Sequence, residues 1–239
     1  SNPGLEADKM NREAILHHLN HGLPGKIARQ IKKLSNPPKV CIMIDSWECG
    51  EQTWTKNFRE EFKNRRGYDC MNWLPTLTGR IIGSVDMTER FLWDFRRTIA
   101  DLYAEKYFGT FRDFCHENGM LFEGEIPGIG IPAIADGLQC LGLTDTPMGE
   151  FWIRAKPGPH AYLGLGGGDN TKEAAVASHV YGQEIAACEA FTSFGYADGW
   201  RMDPRQLKPI GDRQFVKGMN EMVFHTYAHQ HDEREPGMT

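Results

Sequence analysis

The 239-residue chain has six cysteines, at positions 41, 49, 70, 115, 140 and 188, but no C-x-x-C pair. Spread this evenly they offer neither a disulfide framework nor a zinc site, and six reduced thiols are expected. Cys41 and Cys188 lie inside apolar runs, where a thiol packs as a small hydrophobe. Excess positive charge is also missing: 27 Lys and Arg against 32 Asp and Glu leave a net charge of −5. That balance gives no footprint for nucleic acid or an anionic membrane surface. No apolar run approaches the roughly 18 residues that cross a bilayer. No signal peptide is visible and the first residue is Ser1, so a processed, truncated or recombinant piece is expected. The glycine-rich stretch GPHAYLGLGGGD (158–169) lacks the G-x-x-x-x-G-K-[ST] order of a phosphate cradle and reads as flexible. His225 and His229 are four apart, but no H-E-x-x-H accompanies them. Such histidines more often hydrogen-bond a carboxylate or a sugar hydroxyl than bind metal.

What is present is ordinary globular material, 40% hydrophobic and 25% charged, ample for a sizeable core. Residues 6–35 read as two amphipathic helices interrupted at Gly22 and Pro24-Gly25. A helix is expected over 53–67, ended by Gly67. A longer one runs from about Asp86 to Asn118, opened by Asp86-x-x-Glu89 as a capping box. Phe91, Leu92, Phe95, Ile99, Leu102, Tyr103, Tyr107, Phe111 and Phe114 recur along it at helical spacing and predict one buried face. Asn170 is expected to cap a helix over 171–183, with Glu173 in the reciprocal position. Apolar runs predict five strands, near 40–46, 120–126, 147–153, 185–191 and 221–227. The connections are long enough for crossover helices, so an α/β fold with a parallel sheet is expected, as a single domain over 1–239.

These strands share an unusual ending. In KVCIMIDSWECG (39–50) a run suited to a strand buried on both faces stops at Asp45, Trp47 and Glu48. Glu125, Glu150 and Glu189 stand at three further strand ends, and His225 and His229 at the last. A lone Glu there is usually a solvated loop residue, but four beside aromatic or small residues (Trp47, Phe151-Trp152, Phe191) point to a site. Carboxylates with tryptophans suit carbohydrate, whose C–H faces pack on indole and whose hydroxyls bond carboxylates. Glycoside hydrolysis needs two carboxyl groups, one protonating the leaving oxygen and one activating water or attacking the anomeric carbon. Burial and neighbouring negative charge raise a carboxyl pKa, and crowded glutamates supply the second. Surplus carboxylates could instead hold a hard cation such as Ca²⁺.

The stretches DSWECGEQTWTKNFREEFKNRRGYD (45–69), TGRIIGSVDMTERFLWDFRRTIADLYAEKYFGTFRDFCHENGM (78–120), DTPMGEFW (145–152), CEAFT (188–192) and FHTYAHQ (224–230) together resemble the α-L-rhamnosidases of glycoside hydrolase family 106. The resemblance implies a (β/α)₈ barrel that removes terminal α-L-rhamnose with inversion, aided by Ca²⁺. It places Glu48 as general acid and Glu150 and Glu189 on the carboxylates considered for the base. Asp45, Trp47, Glu125, Trp152, His225 and His229 would line the sugar site, with Glu125 a calcium contact. Relatives in the family are typically exported bacterial enzymes, periplasmic or secreted. A βα unit needs about 30 residues, yet the first two strands here are separated by more than twice that, so the chain is filled by five strands, about the last five of such a barrel. The expectation is a partial barrel from a larger enzyme, partnered by the rest of the barrel or by self-association. Two other readings stay open: the same barrel acting on another sugar, and a non-catalytic carbohydrate-binding or structural fragment.

Overall fold

A computed structural model describes residues 6–47, 50–125, 134–156, 162–193 and 203–225. The chain divides into two compact units. One comprises residues 1–42, 49–122 and 132–136; the other comprises 43–48, 123–131 and 137–239.

The first unit is mainly helical, with α1 (Arg12–His21), α2 (Leu23–Ile31), α3 (Phe58–Arg66), α4 (Val85–Leu102) and α5 (Gly109–Glu117). The expected break between α1 and α2 falls at Gly22, with Pro24 in the first turn of α2, where its missing N–H costs nothing. The helix expected from residue 53 starts only at Phe58, and it ends at Gly67 in a left-handed cap (φ 83°). The long helix is present but not regular: α4 and α5 are joined by one π-helical turn over Tyr103–Phe108. Its cap is Ser84, not Asp86. The Ser84 hydroxyl accepts from the Met87 N–H at 3.2 Å, and Asp86 instead pairs with Arg90 at 2.9 Å. The aromatic stripe is buried as expected, with Phe91, Phe95, Ile99, Leu102, Tyr103, Phe111 and Phe114 in the core and Leu92 and Tyr107 half-buried. The rings interlock, Phe58 with Phe95 at 5.1 Å and Phe122 with Phe111 at 5.7 Å. Arg66 reaches Thr98 and Asp101, closing α3 onto α4.

Most of the sheet belongs to the second unit, although its first two strands begin in the first unit. Its strands are β1 (Cys41–Ile44), β2 (Leu121–Glu125), β3 (Thr146–Lys156), β4 (Tyr162–Asp169), β5 (Ala187–Ser193) and β6 (Glu221–Phe224). They run in the order β1-β2-β3-β5-β6, with β4 paired to β3 off that path. Pairing is parallel for β2–β3, β3–β5 and β5–β6, in register Glu125 with Met148, Glu150 with Glu189, and Glu189 with Val223. The five expected strands are therefore present. β4, antiparallel to β3, is the correction to the glycine-rich stretch read as flexible. Glycine weakens a strand, but a ladder to the long β3 outweighs that propensity.

Helices α6 (Gly137–Leu141), α7 (Thr171–Tyr181) and α8 (Pro204–Lys217) complete this unit. α8 opens with an Asp203–Gln206 capping box. Asn170 is not the side-chain cap expected for α7: Asp169 Oδ1 accepts from the Thr171 N–H at 3.2 Å, which leaves the Asn170 side chain for β3. Phe151, Ile153, Cys188, Ala190, Ile210 and Met219 form a core layer under α8, with Phe191, Leu207 and Met222 packed against it. None of the five described cysteines is in a disulfide, and Cys49 lies outside the described residues. No helix among the described residues is long and apolar enough to cross a membrane.

Candidate active site

Glu125 ends β2 and Asp45 follows β1, but Glu150 and Glu189, expected at strand ends, lie within β3 and β5, which run on to Lys156 and Ser193. The parallel pairing of β2, β3 and β5 brings these acids to one region of the sheet. Asp45, Glu125 and Glu189 meet there, with carboxylate oxygens all within 4.8 Å of one another. Glu125 and Glu189 are buried, while Asp45 is exposed. Glu150 stands beside Glu189 across the β3–β5 ladder.

Each carboxylate has a dedicated holder. Ser46 donates its hydroxyl to Glu125 Oε2 at 2.8 Å, and its N–H goes to Asp45 Oδ1 at 2.6 Å. Trp152 Nε1 donates to Glu150 Oε2 at 2.8 Å. The Glu150 N–H donates to Asn170 Oδ1 at 2.5 Å, and the Asn170 N–H returns to the Glu150 carbonyl at 3.1 Å. Gly149 makes room for this clamp, since a Cβ there would lie 2.8 Å from Asn170 Oδ1. The Thr192 hydroxyl donates to Glu189 Oε1. Glu125 Oε1 is buried with no hydrogen-bond partner, a costly state for a carboxylate oxygen.

Crowding shows in the proton affinities. Burial first, then the charges of Glu189, Glu150 and Asp45, push the Glu125 carboxyl up to about 8 against the pull of the Ser46 hydroxyl. Glu189 is raised chiefly by burial, with Asp45 and Glu150 adding to it; the Thr192 hydroxyl and the His225 ring oppose the rise. A folded protein rarely collects buried carboxylates this way without a use for them.

A family model described as alpha-L-rhamnosidase, glycoside hydrolase 106, matches residues 1–239. This chain belongs to that family. A protein of Formosa agariphila whose provisional name is beta-glucuronidase is 39% identical over 235 residues, 98% of this chain and 19% of the relative. The structure of a rhamnosidase from Novosphingobium sp. PP1Y matches with TM-score 0.79 and 34% identity, over 95% of this chain and 21% of that one. The chain thus spans about a fifth of the length of each. The expected fold class, a partial barrel of five strands from a longer enzyme, agrees with this neighbour.

Of the residues singled out from sequence, Asp45, Glu125, Glu150 and Glu189 converge, and His225 acts on the charge of Glu189. Glu48 and His229 lie outside the described residues. Trp152 is half-buried with its N–H committed to Glu150. Trp47 is 7% exposed, so little of its indole face is open. Phe151 and Phe191, read as neighbours of the rim carboxylates, belong instead to the core layer under α8. Sequence reasoning missed Ser46, Asn170 and Thr192. Ser46 stands between two site residues in DSWE and was open to view. Thr192 was not, because a regular strand puts residues three apart on opposite faces.

Proposed function

We propose that this chain carries the acid, the base and the cation-binding carboxylates of an inverting glycosidase acting on terminal α-L-rhamnosides. The observation that carries the reading is the convergence of Asp45, Glu125, Glu150 and Glu189 in one region of the sheet, in a family described as rhamnosidases. In it, Glu48 protonates the glycosidic oxygen, and Glu150 or Glu189 takes a proton from a water attacking the anomeric carbon from the opposite face. An inverting pair must stand roughly 6.5–9.5 Å apart to admit that water. Asp45, Glu125 and Glu189 lie closer together than that, a spacing better matched to a shared cation.

The donor set fits Ca²⁺. It offers hard carboxylate oxygens, one of them, Glu125 Oε1, buried and unpartnered. Bound calcium would supply positive charge and open positions for sugar hydroxyls. With or without it, Ser46 holds Glu125, Trp152 and Asn170 hold Glu150, and Thr192 holds Glu189. The proposed partners are a carbohydrate substrate and the remaining strands of a barrel.

The Formosa agariphila relative's name raises a hexuronic acid as the competing sugar. A glucuronide brings its own carboxylate, which four site acids would repel unless a cation stood between. Following hydrolysis of aryl α-L-rhamnoside and aryl β-glucuronide by proton NMR separates the two. The expected result is rhamnoside cleavage that releases the β-anomer first and is suppressed by EGTA. Cleavage of the glucuronide alone, or the α-anomer first, would overturn the assignment.

A further inference from the structure

We propose that Phe191 and Thr192 are positioning residues for Glu189: the left-handed backbone at Phe191 creates a bulge in β5 that turns the Thr192 hydroxyl onto the Glu189 carboxylate. This rests on the reading of Glu189 as a site carboxylate.

Among the described residues, Phe191 is the non-glycine residue with positive φ, at 63°. A bulky aromatic adopts that conformation only where its surroundings impose it, and such outliers gather at functional sites. The ladder shows what the outlier does. Glu150 pairs with Glu189, but Trp152 pairs with Thr192, so β5 uses one residue more than β3 over this step. In a regular strand Glu189 and Phe191 would share a face, with Ala190 and Thr192 on the other. The bulge reverses this. Phe191 joins Phe151 and Ile210 in the layer under α8, and Thr192 moves to the carboxylate side.

The ring is what anchors the bulge. It meets Phe151 edge-on at 5.0 Å and stacks on Phe224 at 5.8 Å. Gly211 on α8 leaves it room, since a Cβ there would lie 3.3 Å from the ring's Cζ. Thr192 is 1% exposed, so its bond to Glu189 is shielded from competing water. Glu189 is thereby held by a neighbour that the unbulged strand would have turned away.

Thr192→Val removes the hydroxyl at nearly constant shape, and Thr192→Ser keeps it. On an aryl α-L-rhamnoside, Thr192→Val should lower kcat about 10- to 100-fold, the scale of a hydrogen bond to a charged group, with KM little changed. Thr192→Ser should restore most of the rate. Phe191→Ala, which keeps the backbone demand and removes the anchor, should match Thr192→Val, and the double variant should fall no further than either. Crystal structures give a readout independent of turnover: the Glu189 carboxylate should move in Thr192→Val and Phe191→Ala and stay in Thr192→Ser. An unmoved Glu189 in all three, or equal rates for the Val and Ser variants, would overturn the inference. A protein inert to rhamnosides in which Glu189 still moves in the Val variant would support the inference and overturn the reading of function.

Discussion

The helical unit and the sheet unit of this chain spend their buried volume differently. In the helical unit the interior is aromatic, with Phe58, Phe62, Phe91 and Phe95 almost wholly buried against one another and Phe108 likewise against Phe122. Lys9 is buried there but paired with Glu6 at 2.9 Å, and the unit's other charged groups lie nearer the surface, as Arg65 does with Glu61 and Glu105. In the sheet unit the interior holds Glu125, Glu150 and Glu189, one with an unpartnered oxygen, beside a strained backbone at Phe191. The first arrangement lowers the free energy of the fold. The second raises it, a cost that the proposed chemistry would explain.

The comparison is sharpest when one residue is changed in each unit. Glu150→Gln should cut turnover by up to about 10⁴-fold, equivalent to about 5.5 kcal/mol of barrier, while leaving unfolding nearly unchanged. Phe122→Ala, in the other unit, should cost about 4 kcal/mol of stability through the cavity it leaves between Phe108 and Phe111. Denaturant melts and kinetics on both variants check the contrast. If Glu150→Gln also unfolds the protein, the acids are structural and the distinction fails.

Not every acid of the sheet unit belongs to chemistry. Asp169 accepts from Lys217 and from Gln214 Nε2 at 3.2 Å. Burial alone would raise its carboxyl, but the bonds from Lys217 and Thr171 outweigh it and hold the carboxyl below the usual range. A depressed folded-state pKa adds stability above the unfolded value, about 4, and loses it as pH falls through the folded one. Asp169→Asn should therefore cost about 1–3 kcal/mol near neutrality and nothing in strong acid. A pH series of urea melts reads this directly. In the helical unit, Ser84→Ala should cost about 1 kcal/mol through the lost cap of α4. Asp86→Ala should cost only a few tenths, as an exposed pair. Thermal melts that reversed this order would return the cap to Asp86.

How much of this was legible depends on which physics decided each feature. The strand positions and the buried stripe of α4 and α5 follow from periodicity, which local sequence carries in full. The placing of Asp45 and Glu125 followed from strand ends in a parallel sheet, whereas Glu189 joins them from within β5, which runs on to Ser193. β4 was misread because Gly164, Gly166, Gly167 and Gly168 suppress strand propensity, although Leu163 and Leu165 alternate with glycine at a strand's period. The π turn at Tyr103–Phe108, the Asn170 clamp on Glu150 and the bulge at Phe191 are set by tertiary packing, and neighbouring residues do not announce them.

The most direct test is Glu125→Gln, with turnover and unfolding measured on the same preparation. Gln can still accept from Ser46, but it removes a buried carboxyl pushed up to about 8 by its burial and its acidic neighbours. A site that trades stability for chemistry predicts lost rhamnoside hydrolysis together with an unchanged or raised melting temperature. Full activity with a lowered melting temperature would contradict it, and would make the acidic cluster part of the scaffold.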